Sequence, residues 1–228
     1  MDSESFREGK APFEVLPQGI SCETYYKVYG ELSGNIPPLI ILHGGPGSGH
    51  EYIEPLSRIW TDYRIPVVFY DQIGCARSTH LPDTMGNKSF WQVNLFIAEL
   101  ASLIRHLKLD RPDGPGFDVL GHSWGGIFAA AYAAQEPAGL RRLILASTNS
   151  DSQVFKKNLW KLLDQIPEEH RQAIEKAARE EDFTTKAYAD AMASFQSKFM
   201  CRFQPYPHPL LAKNRANQAA DPTVRVSV

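Results

Sequence analysis

With 228 residues, 43% of them apolar and 22% charged, the chain has material for one substantial core and a small accessory domain. A net charge of −2 gives no electrostatic basis for binding nucleic acid or an anionic membrane. No run approaches the roughly 18 apolar residues of a membrane span, and the polar, acidic start lacks the apolar stretch of a secretory leader. Cys22, Cys75 and Cys201 are widely spaced and odd in number. They make neither a disulfide framework nor a zinc pattern, so a reducing, cytoplasmic setting is expected, without metal or cofactor.

In chain order, Val15, Ile20, Tyr25, Tyr26 and Val28 around Pro17-Gln18-Gly19 predict an N-terminal hairpin over residues 13–32. Leu39 to Leu42 is a continuous apolar run, as in a strand buried on both faces, and it ends in His43-Gly44-Gly45-Pro46-Gly47. Val67 to Tyr70 is a second such run, ending in Asp71-Gln72-Ile73-Gly74. Val93, Phe96, Ile97, Leu100, Leu103, Ile104 and Leu107 share one helix face, and Ser89 with Gln92 has the spacing of a capping box.

Phe117, Val119 and Leu120 then predict a strand, residues 127–134 a helix, and Gly121-His122-Ser123-Trp124-Gly125 the turn between them. The pentapeptide has the form G-x-S-x-G. Small neighbours let a serine occupy a sharp strand-to-helix turn, which lifts its hydroxyl clear of the sheet. The next amide, that of Trp124, falls at a helix N-terminus, where it would stabilise a developing oxyanion. A glycine-rich turn that merely closes a βα unit is the bland alternative. Leu143 to Ala146 predict another buried strand, so the first 150 residues predict a largely parallel sheet flanked by helices.

Beyond Ser147 the texture changes. Phe155, Leu159, Leu162 and Ile166 make one helical stripe, Pro167 suits the first position of the next helix, and Tyr188, Met192, Phe195 and Phe199 make another stripe. The charges at Lys156, Lys157, Glu168, Glu169, Arg179, Glu180 and Glu181 read as a solvated face. The expected layout is therefore a core over 1–150, a helical cap over 151–210 and a return to the core over 211–228.

Three motifs together resemble the α/β-hydrolase superfamily, and within it the proline iminopeptidase and L-amino-acid amidase family. They are His43-Gly44-Gly45-Pro46-Gly47, Asp71-Gln72-Ile73-Gly74-Cys75-Ala76-Arg77-Ser78, and Gly121-His122-Ser123-Trp124-Gly125-Gly126. Ala76 departs from the glycine usual in that family. The resemblance implies the α/β-hydrolase fold with an inserted helical cap. It implies Ser123 as nucleophile and an oxyanion hole made by the N–H groups of Gly45 (or its neighbour Gly44) and Trp124. Asp71 and His43 are structural in this reading, His43 bracing the oxyanion loop.

The implied reaction releases an N-terminal residue from a small peptide, or hydrolyses an amino-acid amide or ester. In the resembling family the acid and the histidine follow the cap on later strands. Asp221-Pro222-Thr223-Val224 resembles the return to the sheet, after which the sequence closes at Val228. The expectation is thus a hydrolase by descent whose last strands and triad Asp and His are missing. Its competitor is a non-catalytic fragment or isoform of the same lineage. His170 and His208 are poor substitutes for the missing base. Val224, Val226 and Val228, alternating with Arg225 and Ser227, read as a short strand. A dinucleotide site at residues 44–49 is disfavoured because Pro46 lacks an N–H and the G-x-G-x-x-G register fails at His50. An epoxide-hydrolase reading is disfavoured because the nucleophile position holds Ser123 rather than aspartate.

Overall fold

The structure, a computed structural model, describes residues 5–228; residues 1–4, the start of the polar N-terminal run, lie outside them. Six strands form one sheet: β1 (Phe6–Val15), β2 (Ile20–Tyr29), β3 (Leu39–Leu42), β4 (Val67–Tyr70), β5 (Phe117–His122) and β6 (Leu140–Ala146), in the order β1-β2-β4-β3-β5-β6. β1 pairs antiparallel with β2, and β2 antiparallel with β4. β4, β3, β5 and β6 run parallel. The hairpin reaches further toward the N-terminus than its apolar pattern suggests, with Phe6 opposite Tyr29. β1 is an edge strand, and the charges of Arg7, Glu8 and Lys10 suit an edge that faces water.

β3 and β4 are buried along their whole length. Their alternate residues feed two cores, as the period of two requires. Ile40, Leu42, Val68 and Tyr70 join one cluster with Phe96, Leu100 and Leu103 of helix α2 (Val93–His106) and Phe128 of α3 (Trp124–Ala133). Leu39, Ile41, Val67 and Phe69 join the other, packed on Tyr52, Ile53 and Leu56 of the 3₁₀ segment His50–Ser57 and on Ile59 and Trp60 of α1 (Arg58–Tyr63). Each fully buried aliphatic or aromatic side chain here contributes about 1.5–3 kcal/mol.

The chain divides into two units. One comprises residues 1–148 with 213–228, and the other residues 149–212. In the second unit α4 (Ser152–Leu163), α5 (Glu168–Glu180) and α6 (Lys186–Phe199) share a small core of Leu163, Ile166 and Phe195. α4 starts where the Asp151 carboxylate accepts from the Gln153 and Val154 amides, and α6 where Thr185 accepts from Tyr188. Pro167 is the N-cap of α5, one residue before the first helical position. A seventh helix, α7 (Pro209–Ala220), leads to the tail. No helix among the described residues is long and apolar enough to cross a membrane.

Besides the place of Pro167, three local expectations fail. β6 is not a buried strand: as the second edge of the sheet it leaves Leu143 and Ala146 half-buried and Ile144 and Leu145 exposed. Ser89 and Gln92 form no capping box: α2 begins at Val93 with Gln92 as N-cap, the Ser89 hydroxyl donates to Asn87 Oδ1, and the Gln92 amide turns to the Lys88 carbonyl. The tail is helical, not a strand, forming α8 (Thr223–Ser227). Asp221 Oδ1 accepts the Thr223 N–H at 2.9 Å, and the Ser227 hydroxyl donates to the Thr223 carbonyl at 2.6 Å. These local bonds, with Pro222 before the first turn, outweigh the alternation of valines. Val224 is fully buried, and a Cβ on Gly74 would come within 2.4 Å of its methyl.

Candidate active site

β3 and β5 are adjacent and parallel, with Leu42 opposite Gly121, so the loops that follow them leave the same end of the sheet. The loop after β5 is one residue long. Ser123 has φ 53 and ψ −121, a conformation that L-residues rarely adopt, and α3 begins at Trp124. The Ser123 amide donates to the Ala146 carbonyl at 3.0 Å, and its carbonyl accepts from the Thr148 hydroxyl at 2.8 Å and the Gly126 amide at 2.9 Å. The turn is therefore tied to the end of β6.

The glycines around Ser123 are dictated by contact. A Cβ on Gly121 would lie 2.5 Å from the Gly125 carbonyl oxygen, and one on Gly126 2.6 Å from Thr148 Cβ. A Cβ on Gly44 would lie 2.9 Å from Ser123 Cβ, so the loop after β3 runs directly against the serine. Ser123 thus lies against Gly44. Among the described residues its hydroxyl has no hydrogen-bond partner, and neither do the amides of Gly45 and Trp124. The Gly44 amide, in contrast, donates to Tyr52 Oη at 2.7 Å, so of the two glycine amides only that of Gly45 is left without an acceptor. The Trp124 ring packs on Phe96 and Phe128, and its indole N–H is buried without a partner.

His43 is fully buried. Its Nε2 accepts the Gln72 amide at 3.0 Å and its Nδ1 donates to the Gly44 carbonyl at 2.9 Å. Burial holds its pKa below the usual histidine value, so it is neutral and committed at both nitrogens. Asp71 Oδ1 accepts from the amide and from Nδ1 of His50, each at 2.8 Å, and Oδ2 from the Arg77 amide at 3.3 Å. Burial would raise its carboxyl, but the hydrogen bond and charge of His50 outweigh that and hold it below the usual value. Neither group is free to act on Ser123. Ala76 takes φ 46, the left-handed conformation that glycine adopts without strain.

Three features have no signature in the sequence. The tail holds the glycine loop: Asn214 Oδ1 accepts the Gly49 amide at 3.0 Å, and Gln218 Nε2 donates to Ser48 Oγ at 2.9 Å. His80 and Asp221 form a close pair, while His80 Nε2 bonds the Ala76 carbonyl at 3.0 Å. Burial opposes protonation of His80, but the Ala76 carbonyl and Asp221 prevail and raise its pKa. Third, ligand-type atoms of His50, Glu51 and Asp71 lie within 4.8 Å of one another. His50 is spent on Asp71, and the Lys213 ammonium lies 3.3 Å from Glu51, so a side chain already supplies the cation.

Residues 37–225 match the family profile of the alpha/beta hydrolase fold. A proline iminopeptidase of Clostridium botulinum is 37% identical over 189 residues, which is 82% of this chain and 59% of the relative. The chain thus spans less than two thirds of that relative's length. Among solved structures, VinJ superposes with a TM-score of 0.86 at 33% identity, over 96% of this chain and 69% of that one. The proline iminopeptidase of Mycobacterium smegmatis superposes with a TM-score of 0.81 at 31% identity, again over 96% and 69%. By fold, by glycine-bounded serine turn and by these relatives, the chain belongs to the alpha/beta-hydrolase family, within its proline iminopeptidase group.

Proposed function

We propose that Ser123 is the nucleophile of a serine hydrolase that releases the N-terminal residue of small peptides, or cleaves amino-acid amides or esters. The observation that carries this reading is a strained, half-buried serine whose hydroxyl has no partner, set against the loop after β3, with the amides of Gly45 and Trp124 left without an acceptor. Ser123 Oγ attacks the substrate carbonyl and the oxyanion accepts from the two amides; the hydroxyl proton ends on the departing amine or alcohol, and water then hydrolyses the ester left at Ser123. The relatives named proline iminopeptidase support a substrate with a free N-terminal residue. The second unit, helical and inserted between two segments of the first, supports the reading of a cap. The three free cysteines and slight net charge support a cytoplasmic enzyme without nucleic-acid partners.

A serine hydroxyl without a base is a weak nucleophile at neutral pH. Of the histidines, His43, His50, His80 and His122 are bonded to other groups, and none touches the Ser123 hydroxyl. A polypeptide of these 228 residues should therefore react with a fluorophosphonate slowly, but at Ser123 alone. Peptide mapping should find one adduct, and Ser123→Ala should abolish it. An adduct that survives the substitution would place the reactive group elsewhere.

A further inference from the structure

The β3–β5 ladder ends at Leu42 and Gly121, before either loop reaches the residues that would meet an oxyanion. Something else must fix the distance between Gly45 and Trp124. Tyr52 reaches both loops from the 3₁₀ segment. Its hydroxyl oxygen accepts the Gly44 amide at 2.7 Å and lies 2.6 Å from Nδ1 of His122. The two rings meet edge-on, with centroids 5.4 Å apart. Gly44 immediately precedes Gly45, and His122 immediately precedes Ser123 and Trp124.

Burial pushes the Tyr52 phenol up to about 12 and holds the His122 imidazole below its usual value, so both are neutral at pH 7. A phenol that receives the Gly44 N–H has its own proton left to give. It donates that proton to His122 Nδ1, which places the imidazole proton on Nε2.

We propose that Tyr52 is a positioning residue. The bond chain from the Gly44 amide through the Tyr52 hydroxyl to the His122 imidazole sets the separation of the two amides that would hold the oxyanion. The inference rests on the hydrolase reading above. Tyr52 touches no reacting atom in it. Without the hydroxyl, the Gly44 amide and the imidazole lose their shared partner, and the two loops lose their direct tie beyond the sheet. A shift approaching an ångström at such a site can cost a large factor in rate even when the fold survives.

The test compares rates of Ser123 phosphonylation. Tyr52→Phe should slow labelling by roughly tenfold while the melting temperature changes little. His122→Leu should slow it similarly, and the double variant should be no worse than either single one, because both break one chain. His122→Asn, whose side-chain oxygen can stand near the position of Nδ1, should recover most of the rate. Nitrogen-15 NMR of the imidazole should show the Nε2–H form in the unaltered protein and lose that preference in Tyr52→Phe. Equal labelling of wild type and Tyr52→Phe, or an imidazole protonated at Nδ1, would overturn this inference alone. A wild-type protein that never labels at Ser123 would overturn it together with the hydrolase reading.

Discussion

Gly125→Ala should destabilise the protein by about 3 kcal/mol or more, near the upper range for overpacking. The added methyl would lie 2.4 Å from the Leu42 carbonyl oxygen and 2.5 Å from that of His43. Both obstacles are backbone, so no rotamer change relieves them. Either α3 must lift from the sheet or the end of β3 must move, and each carries part of the site. Burial of Phe128, one turn along α3, against Phe96 resists the first movement, and the paired bonds between Gln72 and His43 resist the second. Gly34→Ala is the control, since a Cβ there meets nothing within 4 Å. Urea unfolding of both variants decides the matter. A Gly125→Ala midpoint equal to that of Gly34→Ala would show that the elbow has room which the structure denies.

Glu99→Gln should make the protein more stable than wild type at pH 8 while changing little at pH 5. Glu99 is fully buried in α2, where it accepts the Thr24 hydroxyl at 2.6 Å and the Ile73 amide at 3.0 Å. Burial raises its pKa from 4.5 to about 8; the bonds from Thr24 and Ile73 oppose the rise, and the charge of Asp71 adds to it. Below the unfolded value both states hold the proton. Between about 4.5 and 8 only the folded state does, so stability falls as pH rises through that window. The full gap corresponds to on the order of 5 kcal/mol. Glutamine is neutral like the protonated acid: its oxygen can accept the Ile73 amide, and its amide can donate to the Thr24 oxygen in the reverse direction of the present bond. Subtracting the Glu99→Gln stability curve from that of wild type, pH by pH, removes the titration of every other group. The difference should slope downward from pH 5 to 8. A flat difference would mean that Glu99 is ionised in the fold or that water reaches it.

The parts of this protein that were legible in sequence are those where residue type is forced by contact. Gly121 and Gly125 have no room for a side chain, and the apolar runs of β3 and β4 are buried on both faces because helices cover both sides. The α2 stripe was legible for a similar reason, since Phe96, Leu100 and Leu103 all face one core. The alternation of Val224, Val226 and Val228 reads as a strand, yet a five-residue helix accommodates it when only one valine is needed inside. Val224 is buried and Val226 half-exposed, while Asp221 supplies the helix start.

The candidate site divides the same way. Ser123, Gly45 and Trp124 stand out through motif spacing. Tyr52, Asn214 and Gln218 do not, because their partners lie 8, 165 and 170 residues away and follow no period. The proposal of Gly45 over Gly44 likewise rests on the third dimension, since only there does the Gly44 amide meet Tyr52. Glu99 had no warning in sequence either. It occupies a helix position that any solvated glutamate could fill, and only the packing of β2 and the Ile73 loop against α2 makes it a buried acid.

The central claim, that Ser123 faces an oxyanion hole built from Gly45 and Trp124, is tested most directly by a crystal structure of the fluorophosphonate adduct. The phosphoryl group mimics the tetrahedral intermediate, so one of its oxygens marks where the oxyanion sits. That oxygen should lie about 3 Å from both the Gly45 and the Trp124 amide nitrogens. A phosphoryl oxygen that contacts neither amide, or an adduct carried by a residue other than Ser123, would contradict the account.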